Sequence, residues 1–157
     1  MKTMTRHLTH RKATVNDIRA IVCLLSEDEL GQTRERLEPE LDQRYMDAFH
    51  QINTDPNQYL MVVESSAEIV GTCHLTLIPS LTFVGSTRLQ IEAVRVSEKY
   101  RDKNIGEWMI NAAIEYAKSH GASIIQLTTN KKRTRAKKFY EKLGFEATHE
   151  GMKLYND

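Results

Sequence analysis

The fold is decided by the stretch LQIEAVRVSEKYRDKNIG, residues 89–106. Its first eight residues have the apolar content of a buried strand, and residues 99–105 have the composition of a basic loop. Gly106 opens a predicted helix, because the apolar side chains around and after it recur at intervals of three and four residues. The apolar positions of this helix are Ile105, Trp108, Met109, Ala112, Ala113, Tyr116 and Ala117.

A strand, a basic loop and a helix start in this order favour a phosphate site. Backbone N–H groups in the first turn of a helix lack partners within the helix, and the helix dipole places partial positive charge there. Arg101 and Lys103 add full positive charges beside them. The same arrangement is common in proteins that bind nothing, so the spacing alone leaves both interpretations open.

The remaining sequence predicts an α/β domain with a mixed sheet. We expect the sheet to be antiparallel early in the chain and parallel across the helical crossover from residues 89–96 to 123–129. The other strands are predicted over 7–13, 58–64 and 69–78, with a terminal hairpin of 145–149 and 152–155. The helices are predicted from a cap at 14–17 to about Leu30, over about 39–53, from 106 to about 120, and around 136–143.

Charge and cysteine content limit the classes of function that the chain can have. The net charge of +1 over 157 residues gives no general attraction to nucleic acid or to a membrane surface. Cys23 and Cys73 lack metal-ligand spacing, which is typical of reduced thiols in a cytosolic protein. The basic N-terminus has no apolar signal region, and no apolar run approaches the length of a membrane span. We therefore expect a cytoplasmic protein with no metal, no nucleic acid partner and no membrane partner.

Two motifs carry a resemblance to a known family. The loop RDKNIG at 101–106 is similar to the Q/R-x-x-G-x-G/A loop of the GNAT superfamily of N-acetyltransferases, and AKKFYEKLGF at 136–145 is similar to that family's second signature, F-Y-x-x-L-G-F. The resemblance extends over essentially the whole chain. It implies one N-acetyltransferase domain over residues 1–157. The implied fold is a GNAT-like, mostly antiparallel sheet with a central parallel, splayed strand pair and about four flanking helices.

The resemblance also implies acetyl-CoA as co-substrate. The loop would receive the pyrophosphate, and a bulge near Glu92–Val94 would splay the central strand so that the pantetheine arm bonds the backbone that follows. Tyr140 would lie near the thioester sulfur. The residues implied in acetyl-CoA binding are Val94, Arg95, Val96, Arg101, Asp102, Lys103, Asn104, Ile105, Gly106, Glu107, Arg133 and Tyr140.

Three residues depart from the family pattern. Asn104 replaces the middle glycine of the loop, and asparagine is among the few other residues that tolerate the left-handed conformation. Arg133 stands where the family often has an asparagine that faces the cofactor. Glu107 suits the helix dipole but repels a phosphate that lies too near.

Glu92 and Tyr140 are the candidate catalytic residues. An alkyl ammonium with a pKa of about 10.4 must lose a proton, and Glu92 is placed to accept it directly or through a water. The alternative, a structural ion pair of Glu92 with Arg88 or Arg95, has equal weight. The resemblance favours Tyr140 as hydrogen-bond donor to the leaving thiolate, against simple core packing. A phenol of pKa about 10 does not readily protonate a thiolate of pKa about 8.5.

The acceptor is less well defined. A group of acidic residues in the segment that would border the acceptor cleft favours a cationic amine, although solvated helix ends explain the same composition. His74, His149 and Glu150 are other residues within possible reach, without metal-ligand spacing. The acidic residues are Glu27, Asp28, Glu29, Glu35, Glu38, Glu40 and Asp42.

The resulting hypothesis is an acetyl-CoA-dependent N-acetyltransferase that transfers acetyl directly to a primary amine of a small-molecule or peptidic acceptor. A non-catalytic acyl-CoA-binding or sensing module is the first alternative. A nucleic-acid-binding protein that uses the basic run 131–138 is a weaker one, since this run is explained by a solvated helix face that attracts the cofactor. By analogy, the terminal hairpin is a candidate edge for a homodimer.

Overall fold

A computed structural model describes residues 7–156, in which five strands and six helices are found. The contacts divide the chain into two compact units, Met1–Gln126 and Leu127–Asp157, which are described separately. The strands are β1 (Leu8–Lys12), β2 (Gln58–Ser65), β3 (Glu68–Pro79), β4 (Thr87–Val96) and β5 (Ala122–Leu127). The helices are α1 (Ile18–Ser26), α2 (Glu29–Arg34), α3 (Gln43–Thr54), α4 (Thr82–Gly85), α5 (Ile105–Ser119) and α6 (Thr134–Lys142).

The strands form one mixed sheet in the order β1-β2-β3-β4-β5. The pairs β1–β2, β2–β3 and β3–β4 are antiparallel, and β5 runs parallel to β4 after the α5 crossover. The predicted mixed sheet and its parallel pair are therefore confirmed. The single-domain prediction for residues 1–157 stays a prediction.

The core of the first unit is centred on β2. Met61, Val62 and Val63 are fully buried, as expected for an apolar strand with both faces covered. On one face, Val62 packs with α1 and α3 side chains in a cluster that includes Phe49. On the other face, Gly71 of β3 lies beside α5, where an added Cβ would be in ordinary contact, 3.6 Å, with the sulfur of Met109.

The predicted first helix is interrupted. Asp28 accepts a hydrogen bond from the Gly31 backbone N–H at 2.7 Å, and this cap starts α2 as a separate helix. The first helix was expected to reach about Leu30 and to end at Gly31, but α1 ends at Ser26 and Gly31 lies within α2. It allows close approach, because a Cβ there would lie 1.8 Å from the carbonyl oxygen of Leu25. The next helix, α3, begins at Gln43 rather than near Pro39, because Asp42 caps it through the Arg44 N–H.

A short turn, α4, was predicted only as loop. Phe83 and Val84 have φ of 51° and 58°, so this turn is left-handed inside. Their side chains are exposed, together with that of Leu81. Counting α2 and α4, the described residues hold six helices where about four were expected.

The predicted terminal hairpin is wrong. Residues 145–156 contain no strand, and Gly151 does not adopt the positive φ that a tight hairpin turn requires. Side chains that the hairpin would have covered, such as Met152 and Leu154, are more than nine-tenths exposed. An isolated two-stranded hairpin is marginal without a further surface to pack on, which explains the difference. The last described strand, β5, is half-buried rather than fully buried.

Candidate active site

A β-bulge interrupts the pairing of β3 with β4. Thr72 pairs with Arg95 and His74 pairs with Glu92, so Ala93 and Val94 together face one residue, Cys73. Ala93 has φ of 52°, in the left-handed region, as the extra residue of a bulge often does. The bulge lies where the resemblance implied it, between Glu92 and the backbone of Val94, Arg95 and Val96.

Glu92 is exposed and lies directly opposite His74 on the neighbouring strand. The two arginines that were candidate ion-pair partners of Glu92 have other contacts. Arg95 Nε is 3.9 Å from a carboxylate oxygen of Asp28, and Arg88 donates to the hydroxyl of Thr82 at 2.6 Å. These contacts weaken the ion-pair interpretation and leave the Glu92 carboxylate available beside the bulge.

His74 is part of a hydrogen-bonded chain. Gln58 Nε2 donates to Asp55 Oδ2 at 2.9 Å, and Gln58 Oε1 lies 2.7 Å from His74 Nε2. Burial lowers the pKa of His74, while the nearby Glu92 charge acts in the opposite direction. His74 was a candidate from the sequence, whereas Gln58 and Asp55 were not, because cross-strand register is not visible in a single sequence.

The basic loop ends in two left-handed residues, Asp102 with φ of 63° and Asn104 with φ of 62°. The expectation that Asn104 can serve in place of glycine is confirmed for its backbone. The Asn104 carbonyl accepts the first helical bond, from Trp108 N–H at 3.1 Å, and no side chain caps this helix start. Alternating left-handed residues and a helix N-terminus are backbone features that favour anions.

The charged side chains of this loop lie at the surface. Arg101 is exposed and 3.9 Å from Glu98, and Lys103 is half-buried. The adjoining Glu107 is exposed in the first turn of α5, where it complements the dipole. The predicted residues Ile105 and Gly106 form the first two positions of α5, and Ile105 is buried.

Tyr140 and Arg133 lie in the second unit. The Tyr140 ring is half-buried and meets the rings of Phe139 and Phe145 edge to face, at 5.2 and 5.9 Å between centroids. Arg133 immediately precedes α6, and its carbonyl accepts a hydrogen bond from Lys137 N–H. The part of the basic run that forms α6 has no buried residue, in agreement with a solvated face.

Three of the seven acidic residues between α1 and α3 make local side-chain bonds. Asp28 caps α2, and Asp42 caps α3 while pairing with Arg44 at 2.8 Å. Hydrogen bonds from Arg44 lower the pKa of Asp42. Glu35 Oε1 accepts a hydrogen bond from the Tyr45 hydroxyl at 2.9 Å. Part of the predicted acidic rim is thus used in folding, and the cationic acceptor stays a prediction.

An apolar cavity of about 150 Å³ lies beside the bulge, between the sheet and helices α1 and α3. His74 and the bulged Ala93 belong to its wall. Burial raises the pKa of Cys73, another wall residue, to about 12, so that its thiol is protonated at neutral pH. The main helical side chains of the wall are Ile18, Ile21, Val22, Phe49 and Ile52.

Residues 7–156 hold neither a metal-binding cluster nor a helix able to span a membrane. No group of three or more histidine, cysteine or carboxylate side chains among residues 7–156 is arranged to hold a metal ion. Within the same range, no helix has both the length and the apolar character needed to cross a membrane. Both cysteines are free thiols.

The family of the chain follows from comparison with known proteins. The Acetyltransferase (GNAT) family matches residues 23–145, from within α1 to just beyond α6 and well over half of the chain. The chain belongs to the GNAT family. It is therefore an acyltransferase whose relatives transfer acetyl groups to amines, and the predicted family and enzyme class are confirmed.

Two curated relatives of this acetyltransferase are N-acetyltransferases. It is 29% identical over 143 residues to the aminoalkylphosphonate N-acetyltransferase of Salmonella typhimurium, covering 88% of this chain and 85% of that protein. It is 33% identical over 91 residues to the glucosamine 6-phosphate N-acetyltransferase of Trypanosoma brucei brucei, covering 58% of this chain and 60% of that one.

Among solved structures, a transcriptional regulator from Bacillus halodurans C-125 has a TM-score of 0.93 and 45% sequence identity. The similarity covers 96% of this acetyltransferase and all of that chain. It supports the fold described above. The site residues of this acetyltransferase, including Glu92 and Tyr140, remain predictions that these comparisons do not test.

Proposed function

We propose that this acetyltransferase uses acetyl-CoA and transfers the acetyl group directly to a primary amine of a small-molecule or peptidic acceptor. The observation that carries the proposal is the β4 bulge. It leaves the exposed Glu92 carboxylate on one side of Ala93 and the backbone of Val94–Val96 on the other. A base and an extended strand backbone are what an amine and a pantetheine arm require.

The loop before α5 supports acetyl-CoA as co-substrate. Its two left-handed residues and the uncapped N–H groups of the first helical turn suit the pyrophosphate, and Arg101 and Lys103 add positive charge. Arg133, just before α6, is proposed to contribute charge to the same ligand. Members of the GNAT family use acetyl-CoA, which agrees with this chemistry.

The proposed reaction is a single acyl transfer. Glu92, directly or through a water, accepts a proton from the ammonium. This transfer offsets the free-energy cost of deprotonating the amine at pH 7, which is about 4–5 kcal/mol for a pKa of about 10.4. The neutral nitrogen attacks the thioester carbonyl, a C–N bond forms, and the C–S bond breaks. The nitrogen then loses its second proton, which passes to the thiolate directly or through water, so that the products are the acetylated amine and the CoA thiol. Tyr140 donates a hydrogen bond to the leaving thiolate.

The test is release of CoA in the presence of a panel of primary amines. We expect wild-type protein to release CoA with at least one amine, and Glu92→Gln to lower kcat by about a hundredfold, within the range for general-base catalysis. The double variant Gln90→Glu/Glu92→Gln keeps one added carboxylate on β4 but places it two residues earlier. We expect this control to be as inactive as Glu92→Gln alone. Full activity of Glu92→Gln would remove Glu92 from the mechanism.

The alternative of a non-catalytic acyl-CoA-binding module predicts stabilisation by acetyl-CoA without CoA release for any amine. The similarity to a protein described as a transcriptional regulator gives a reason to test nucleic acid as well. Binding through the run 131–138 predicts a gel shift that weakens steeply with salt and disappears when its lysines are neutralised. Our proposal predicts no such shift.

The proposal also includes a cationic acceptor, a cytoplasmic location and a homodimer. No residue of 127–156 is buried, and Met152, Leu154 and Tyr155 are all more than four-fifths exposed. Exposed apolar side chains at this density are typical of a surface that binds a partner, and a second copy of the chain is the partner we propose. Light scattering should give twice the monomer mass of 18.1 kDa, and a monomer at all concentrations would contradict the dimer.

A further inference from the structure

The cavity beside the β4 bulge has the size of a small ring. Its volume of about 150 Å³ equals that of an apolar cavity that binds benzene in another protein. Side chains of α1 and α3, including Ile21 and Phe49, form most of its wall. A cavity of this size and lining favours an apolar group over a strongly hydrated one.

One end of the cavity carries hydrogen-bonding capacity. The network assigns the Gln58 amide with its nitrogen toward Asp55 and its oxygen toward His74 Nε2. Because an amide oxygen only accepts hydrogen bonds, Nε2 must carry a proton. In the neutral imidazole, His74 Nδ1 is then the acceptor.

This end of the cavity is also the end nearest the proposed chemistry. His74 lies directly opposite Glu92 in the pairing of β3 with β4, and side chains of such pairs are about 5 Å apart at Cβ. Ala93, the left-handed residue of the bulge, is part of the cavity wall. An amine attached to a group in the cavity would therefore reach both His74 and Glu92.

We propose that the cavity binds the apolar body of the acceptor, an aryl or branched alkyl group about the size of a benzene ring, and that His74 Nδ1 accepts a hydrogen bond from the amine. The acceptor class is thus an arylalkyl or branched alkyl primary amine. This inference rests on the proposed acetyltransferase function and narrows its substrate.

The first test compares acetyl transfer to 2-phenylethylamine and to ethylamine, which differ only in the ring. We expect wild-type kcat/KM to be at least tenfold higher for the ring-bearing amine, in line with burial of an apolar group. Equal kcat/KM values for the two amines would overturn the assignment. This comparison needs no variant and so does not depend on the folding of a mutant.

Two leucine substitutions on α3 test whether the ring of the acceptor binds in the cavity. Ala48 and Gln51 are both exposed on α3, but only Ala48 lines the cavity, at its rim. Ala48→Leu places a larger side chain at the cavity and should lower the ring preference toward one, whereas Gln51→Leu should retain it. His74→Ala should raise KM for both amines while the ring preference remains. A preference unaffected by Ala48→Leu would contradict this placement.

A binding measurement separates this inference from the proposed function. We expect 2-phenylethylamine to raise the Tm of wild type and Gln51→Leu, but not that of Ala48→Leu. If no amine is acetylated and this pattern is still seen, acetyl transfer fails and the cavity assignment holds. If both amines are acetylated equally by all three proteins and none is stabilised, acetyl transfer holds and the cavity assignment fails.

Discussion

The two units of the chain bury their side chains very differently. Met61, Val62 and Leu89 in the unit Met1–Gln126 are fully buried, whereas no residue of 127–156 is buried. Yet this second stretch carries the family-like sequence FYEKLGF and the candidate Tyr140. In the first unit, packing constrains the residues that position the bulge. In the second, burial does not account for the motif, and its role in the reaction is a proposal.

The largest expected effect tests this contrast through stability. Met61→Ala removes a fully buried side chain and should lower the free energy of unfolding by about 2–5 kcal/mol. Leu154→Ala, at a side chain 95% exposed, should change it by less than about 0.5 kcal/mol. Urea denaturation of both variants measures the difference. Equal losses would show that residues 127–156 are packed as tightly as the core.

The next effect concerns a buried carboxylate of the first unit. Hydrogen bonds from Arg11 lower the pKa of Asp17 to about 2, with further help from Thr14. A lowered pKa in the folded state adds stability above the unfolded value near 4, and that stability is lost as the pH falls toward 2. We expect a contribution of about 2 kcal/mol at neutral pH.

Asp17→Asn isolates this contribution, because asparagine has the same shape without the charge. Its stability deficit in urea should be close to full at pH 7 and should shrink steadily between pH 4 and pH 2. A deficit that stays constant over this range would mean that hydrogen-bond geometry, and not the charge of Asp17, is responsible.

Tyr140→Phe tests the second unit by activity. Loss of the hydroxyl should lower kcat about tenfold, with a smaller change in the KM for acetyl-CoA, because the hydrogen bond is proposed to strengthen as the thiolate forms. The ring contacts with Phe139 and Phe145 are retained in this variant, and its Tm measures separately any contribution of the hydroxyl to stability. An unchanged kcat would exclude Tyr140 from the mechanism.

The smallest effect sharpens the description of the bulge. Ala93 holds a φ of 52°, which costs a residue with a Cβ more than it costs glycine. Ala93→Gly should therefore change stability by less than about 1 kcal/mol, with the gain in the folded state partly offset by greater freedom of the unfolded chain. A loss of several kcal/mol, measured in urea, would indicate that the Ala93 side chain is needed for packing.

The sequence predicted the parts of the fold that depend on local patterns. The apolar run of β2, the helix after Gly106 and the cap formed by Thr14 and Asp17 were found as expected, because apolar periodicity and capping chemistry are local. The left-handed Asn104 was also anticipated, since few residue types tolerate that conformation.

The parts that depend on distant contacts were not predicted. Gly31 has the position of a helix terminator, but its role is set by close approach to Leu25. The chain from Asp55 through Gln58 to His74 depends on strand register, which one sequence does not determine. The terminal hairpin failed for a similar reason, since alternating residues such as Met152 and Leu154 form a strand only with a partner.

The most direct test of acetyl-CoA binding is a thermal-shift titration with acetyl-CoA, free CoA and ATP. At a hundredfold excess over Kd, binding should add about 2.7 kcal/mol, or roughly 5–11 °C in Tm for a chain of this size. We expect this shift with acetyl-CoA and little shift with ATP, which would fix the co-substrate. No shift with either CoA species would mean that the loop with Asn104 does not bind the ligand and would contradict the proposed function.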